Sequence, residues 1–246
     1  ETNEIIGDDD VQLKFLINTV LDCGTNACGN DNFSAKKAWE FLNKELSPRF
    51  HGRISSATRL DDDGQGKLIY LDRHRVFVED YASALKSFQL IRGEHQNTIG
   101  FKFSRQRIWN VPVSSLSTQT YCTEVRDHEN YGKTFDLNGL EVNPPSSHRR
   151  GFLKEFHLVR ESNMTSFQIR YTLLEGGGVW TDESGERVEP EEKVTNWNEA
   201  GGGKTFYLDR HEVKADHNYA ITGFTIETNF EQTQIRFKYW QQKIKN

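Results

Sequence analysis

A mainly β fold built from three tandem four-stranded units is what this 246-residue sequence predicts. Three observations carry the prediction. The stretch "GKLIYLDRHRV" (Gly66 to Val76) returns almost unchanged as "GKTFYLDRHEV" (Gly203 to Val213), and a weaker copy, "GKTFDLNGLEV", runs from Gly132 to Val142. Beyond each copy lies a second block, "ALKSFQLIR", "FLKEFHLVR" and "AITGFTIET", whose Phe88, Phe156 and Phe224 keep one spacing (156 − 88 = 224 − 156 = 68). A third block, "IGFKF", "FQIRY" and "IRFKY", repeats the 68-residue beat at Ile99, Phe167 and Ile235. Independent blocks that keep one period are the mark of a repeat architecture.

The first 55 residues stand outside this pattern. "DDVQLKFLINTVL" sets Val11, Leu13, Leu16, Ile17, Val20 and Leu21 at helical spacing. "SAKKAWEFLNKEL" offers Ser34 as an N-cap, apolar Ala38, Trp39, Phe41, Leu42 and Leu46, and a stop at Pro48. Residues 1–55 therefore read as an N-terminal helical cap or arm. It covers one end of the β domain, or it docks on a partner, a membrane or a second copy of the chain.

Residues 56–246 hold the three units, about 56–104, 105–174 and 175–240. Each opens with a candidate strand, "RISSATRL", "TQTYCTEV" or "EEKVTNW". The "YLDRH"-type stretch is read as the next strand. The second and third blocks follow as a hairpin, joined by the polar turns "GEHQNT", "ESNMTS" and "NFEQTQ". Ile99, Phe101 and Phe103 alternate with polar residues, as do Phe167, Ile169 and Tyr171, and Ile235, Phe237 and Tyr239, which is the strand period of two. A four-stranded sheet cannot bury a face alone, so three of them around an axis share one core. That arrangement is a pseudo-threefold β-prism. A β-trefoil, with shorter repeats, is the second choice, and a three-bladed propeller would need a central channel.

Composition sets the class. Hydrophobic residues are 35% and aromatics 12%, and mean hydropathy is −0.75, which fits a folded, surface-rich chain. Net charge is −5 with no run of Lys or Arg, so the footprint of a nucleic-acid binder is missing. No apolar stretch reaches the roughly 18 residues that span a bilayer, and a soluble chain is expected. The sequence starts at Glu1 with neither Met nor an apolar leader, as a processed or trimmed chain would. Cys23 and Cys28 in "CGTNACG" are placed to close a small disulfide loop, which leaves Cys122 as a buried thiol or an intermolecular partner. Asn32 in "NFS" and Asn163 in "NMT" match the glycosylation acceptor pattern. Together these predict a secreted, extracellular glycoprotein.

Three tandem β units with a block such as "ALKSFQL" ahead of an alternating aromatic strand resemble the β-prism repeats of vitelline membrane outer layer proteins. They are equally similar to the C-terminal β-rich domains of apicomplexan perforin-like proteins. The resemblance covers about residues 56 to 240 and rests on architecture and rhythm. Both families carry more cysteines in their repeats, and Ser104 and Trp240 stand where these would be sought. Nothing in the chain resembles the pore-forming part of a perforin. What the resemblance implies is a secreted binding or coat module for sugars or membrane surfaces.

Two features are candidate sites. Read as a strand, the repeated stretch would set Ile69 and Leu71 on a core face, with Tyr70, Asp72, His74 and Val76 opposite. Tyr207, Asp209, His211 and Val213 would repeat that arrangement. An Asp beside a His is a familiar base arrangement, so Asp72, His74, Asp209 and His211 are the catalytic candidates if the chain is an enzyme. With Tyr70, Arg73, Tyr207 and Arg210 they are also binding candidates. The competing assignment is a strand-end turn, with the Asp on local backbone and the Arg paired across the sheet. The middle copy, Asp136-Leu137-Asn138-Gly139-Leu140, keeps the Leu and lacks Arg and His, so the fold requires only the Leu. The second feature is the glycine-flanked acidic loop "EGGGVWTDESGERVEPEEKVTNWNEAGGG". Its Trp180 and Trp197 suit stacking on sugar rings or entry into a membrane interface, or else tuck into the end of the domain. Trp109 occupies a similar place after the first unit. No HExxH, GxSxG, P-loop or CxxC pattern occurs, and no metal or cofactor is expected.

The sequence therefore predicts a secreted, non-catalytic binding or structural module for carbohydrate or a cell-surface coat. The alternatives are a secreted hydrolase or cofactor-independent oxidase of the luciferase type using the Asp–His pairs, and a coat protein that oligomerises through its arm.

Overall fold

The computed structural model describes residues 55–79, 83–107, 116–127, 132–143, 151–162, 164–174 and 189–244, all within the unit Arg53–Asn246. The two expected helices, Cys23, Cys28, Asn32, Trp109, Asn163 and Trp180 lie outside the described residues. Strands dominate what is described. In chain order they are β1 (Ser55–Ala57), β2 (Asp61–Asp62), β3 (Val76–Phe77), β4 (Ser83–Arg92), β5 (Thr98–Arg107), β6 (Leu116–Cys122) and β7 (Arg126–Asp127). Then come β8 (Phe152–Glu161), β9 (Met164–Leu174), β10 (Glu191–Val194), β11 (Asn198–Glu199), β12 (Glu212–Lys214), β13 (Tyr219–Thr228) and β14 (Gln234–Lys243).

The second and third sequence blocks form three long antiparallel hairpins, β4–β5, β8–β9 and β13–β14. Their alternation drives this: along β14, Ile235, Phe237 and Tyr239 are buried, while Arg236, Lys238 and Trp240 lie on the other face, half-buried. Each hairpin has a β-bulge at the same step, between Leu85 and Ser87, Leu153 and Glu155, and Ile221 and Gly223. The extra residue is Lys86, Lys154 or Thr222, and all three are buried. Lys86 bonds the carbonyls of Asp216 and Tyr219, tying a distant segment to its own sheet. The opening strands of each block pair with the outer strand of the hairpin that follows: β1 and β2 with β5, β6 and β7 with β9, β10 and β11 with β14. Cys122, for which burial was one expectation, is instead exposed at the end of the edge strand β6.

A fifth segment joins each sheet from elsewhere in the chain. β3 joins β8 at Val76↔Phe156, Val142 bridges to Phe224 on β13, and β12 joins β4 at Val213↔Phe88. The valine closing each copy of the repeated stretch thus passes over the hairpin that follows it in the chain and pairs with the one after, and the last crosses back to the first.

One core unites the three sheets. The rings of Phe88, Phe156 and Phe224 meet pairwise at centroid distances of 4.8, 4.9 and 4.9 Å. Each is backed by a ring from its partner strand that also touches the next hairpin: Phe101 lies 5.7 Å from Phe156, Phe167 6.0 Å from Phe224, and Phe237 5.6 Å from Phe88. Tilted and edge-on contacts of this kind suit the aromatic quadrupole. Capping these rings are Leu71, Leu137 and Leu208, all buried, as the repeated Leu led one to expect.

The repeated stretch is not a strand. Leu68–Arg73, Thr134–Leu137 and Thr205–Arg210 are 3-10 turns. Residues three apart therefore share a face: Leu68, Leu71 and His74 point inward together, as do Thr205, Leu208 and His211. The glycine opening each copy explains the change. Gly66 and Gly203 have φ of 84° and 85°, a region that breaks a strand. Their backbones also pass too close to a neighbouring copy for a side chain. A Cβ at Gly66 would lie 2.7 Å from that of Lys204, and one at Gly203 would lie 2.8 Å from that of Lys133. The turns are stitched together here, Leu68 N to Gly132 O at 3.1 Å and Thr205 N to Gly66 O at 2.9 Å.

Candidate functional site

The residues of the two "YLDRH" copies go to different neighbours. Tyr70 lies against Gly64 and Tyr207 against Gly201, at points where a Cβ would fall 2.1 and 2.0 Å from the ring. Over each ring sits a guanidinium, Arg73 at 4.4 Å and Arg210 at 4.3 Å. Each of these reaches an acid on the preceding strand, Asp61 at 2.8 Å or Glu199 at 3.1 Å. Asp72 and Asp209 turn toward the next sheet and pair with Arg160 (3.2 Å) and Arg92 (2.7 Å). Asn138, at the same place in the middle copy, accepts a bond from the Thr228 amide at 2.8 Å. The strand geometry that would have set Asp beside His is absent, since a 3-10 turn sends positions two apart in different directions.

The imidazoles are core groups. His74 and His211 are each 2% exposed, and Leu140 in the middle copy is also 2% exposed, so one buried space takes either side chain. The Phe237 amide donates to Thr195 Oγ1 at 3.0 Å, and Thr195 Oγ1 lies 2.9 Å from His211 Nδ1. Burial pushes the His211 pKa down to about 4, with the charge of Asp209 opposing, and burial likewise lowers that of His74. Both rings are neutral at pH 7, and both Nε2 atoms lie buried without a hydrogen-bond partner.

Trp197 belongs to a different place. It follows β10 and is 37% exposed, on the rim of an open groove of about 450 Å³ across the outer face of the β10–β14–β13 sheet. The outward residues of β14 supply one bank. Arg236 lies 4.4 Å over the Trp197 ring, and Lys238 lies 5.8 Å from the ring of Trp240. Glu227 on β13 crosses the floor to Arg236 at 2.7 Å and Lys238 at 3.6 Å, and Glu192 approaches Lys238 at 3.2 Å. Those carboxylates, Glu192 foremost, hold the Lys238 ammonium above its ordinary pKa. Asn138, Gly139 and Glu141 of the middle copy form the far bank.

The degenerate middle copy is what leaves that bank low. Where the other copies place an Arg on a Tyr ring, this one has Gly139, and a Cβ there would meet nothing within 4 Å. The sequence pointed to Trp197 but not to Trp240 as a groove residue. The signal for Trp240 was its position on the polar face of β14, in step with Arg236 and Lys238. Among the described residues no cluster of His, Cys, Asp or Glu is arranged to hold a metal ion, and no helix is long and apolar enough to cross a membrane. No family model, curated protein or solved structure was found to match the chain.

Proposed function

We propose that residues 56–246 form a three-unit β-prism that acts as a secreted, non-catalytic binding module for carbohydrate on a cell surface or coat. Support for the prism comes from the recurring hairpins and bulges and from the cyclic pattern in which Val76, Val142 and Val213 each pass over the hairpin that follows in the chain to pair with another. The resemblance to vitelline membrane outer layer proteins and to perforin-like C-terminal domains is part of the same reading, as are glycosylation at Asn32 and Asn163 and a Cys23–Cys28 disulfide.

The observation that carries the binding function is the groove bearing Trp197 and Trp240. Two indoles within a bed of hydrogen-bonding side chains, in a space of about 450 Å³, have the size and make-up of a small-ligand site. An indole offers a flat apolar surface to the C–H face of a sugar ring, and the polar groups around it bond the hydroxyls. The test is an immobilised glycan array probed with the wild type and with Trp197→Ala and Trp240→Ala. Signal on a subset of glycans that both variants lose supports the reading. Signal that survives both substitutions places binding elsewhere.

A further inference from the structure

The charge arrangement of the groove points to the class of glycan it takes. We infer that the ligand is an uncharged oligosaccharide, bound by indole stacking and hydroxyl bonding, and that sulfated and sialylated glycans are rejected. This rests on the carbohydrate reading of the groove. Four charged side chains line it, Arg236 and Lys238 against Glu141 and Glu227, so the lining is neutral as a whole. More important is how the cations are held. Arg236 is bonded to Glu227 through Nε at 2.7 Å and through its terminal nitrogen at 2.7 Å. Lys238 lies between Glu227 and Glu192.

A sulfate or a sialic carboxylate would have to take one of these cations from its carboxylate. Glu227 is about a quarter exposed, and breaking the pair would leave its charge uncompensated in a half-buried place. The incoming anion would also face Glu141, exposed on the opposite bank. An uncharged sugar meets neither cost. Its hydroxyls accept from Arg236 and Lys238 and donate to Glu227 and Glu141 without separating a pair, and its ring lies on an indole.

The middle copy of the repeat gains a meaning from this. Gly139 and Glu141 stand where the first copy has Arg73 and Arg75 and the third has Arg210 and Glu212. Loss of the Arg at Gly139 both opens the bank and removes a cation that would have attracted anions.

Isothermal titration separates the outcomes. The probes are tetrasaccharides of glucose, mannose and N-acetylglucosamine, with a heparin tetrasaccharide and sialyllactose as the charged set. At least one neutral tetrasaccharide is expected to bind, with less than about twofold change in Kd between 50 and 500 mM NaCl, since no net ion pair forms. Trp240→Ala should weaken it by at least about tenfold, with an unchanged thermal midpoint. Glu141→Lys should create measurable heparin binding where the wild type has none. Tightest binding of a charged probe, lost in Trp240→Ala and weakened by salt, overturns the uncharged-glycan inference and leaves the carbohydrate reading standing. Binding of no probe by a folded wild type, or binding indifferent to Trp240→Ala, overturns both.

Discussion

At His211 the chemistry of one side chain ties the repeat to the pH of the surroundings. Its folded pKa, about 4, lies below the 6.5 of a free imidazole. Between these values the unfolded chain binds a proton that the folded chain refuses. The stability due to the neutral ring is therefore complete above pH 6.5 and is lost as pH falls toward 4, by about 3 kcal/mol in all. His211→Leu, which copies Leu140, is expected to fold and to lose this sensitivity. Urea unfolding at pH 7 and at pH 4 checks it, the difference between variant and wild type moving in the variant's favour in acid. Glu155 governs a lower window. Burial pulls its carboxyl upward, but His157, Arg75 and Arg170 outweigh burial and hold it at about 2. Its contribution is full above pH 4.5 and declines below. Arg75 grips it through two nitrogens, the second at 2.8 Å, and Arg170 lies 3.3 Å away. Glu155→Gln should cost about 3 kcal/mol at pH 7, because two guanidinium groups lose their counter-ion.

Among the elements, the hairpins were legible and the turns were not. Alternation along Ile235 to Tyr239 or Phe167 to Tyr171 is a local property of a strand, and the 68-residue beat multiplied the signal by three. "LIYLDR" is ambiguous by itself. Leu68 and Leu71 are three apart, Ile69 and Leu71 are two apart, and either spacing satisfies a pattern. The deciding residue is Gly66, whose positive φ and close approach to Lys204 come from a neighbouring copy about 140 residues away in sequence, a relation no local pattern carries. The same holds for the crossing of β3, β12 and Val142 between hairpins. A graded substitution series exposes the difference between conformational and packing cost. Gly202→Ala, at φ 71° but in open space, should cost about 1 kcal/mol. Gly66→Ala adds a clash with the Lys204 Cβ and the Phe206 ring and should cost about 2–3 kcal/mol. Equal urea midpoints for the two variants would show that the copies do not touch as described.

Over the molecule as a whole, three near-equivalent sheets differ on their outer faces, and function is read from the difference. The face of the β3–β8–β9–β6 sheet is filled by Arg75, Glu155 and Arg170, with Phe77 beneath the two guanidinium groups at 4.5 and 5.4 Å. Lysines and serines line the corresponding region of the β1–β5–β4–β12 sheet, among them Lys102 and Ser104. Indoles line the groove of the third. The doubled "YLDRH" drew attention in the sequence because it was conspicuous, yet its side chains hold the sheets to one another. The copy that departs from it borders the groove. Amide and indole NMR spectra recorded while a neutral tetrasaccharide bound in the titrations above is added test this most directly. The expected result is saturable shifts of the Trp197 and Trp240 indole signals and of amides near Glu141, Glu227 and Lys238, with Tyr70, His74, Tyr207 and His211 unmoved. Shifts centred on the two "YLDRH" copies, with both indoles still, would contradict it.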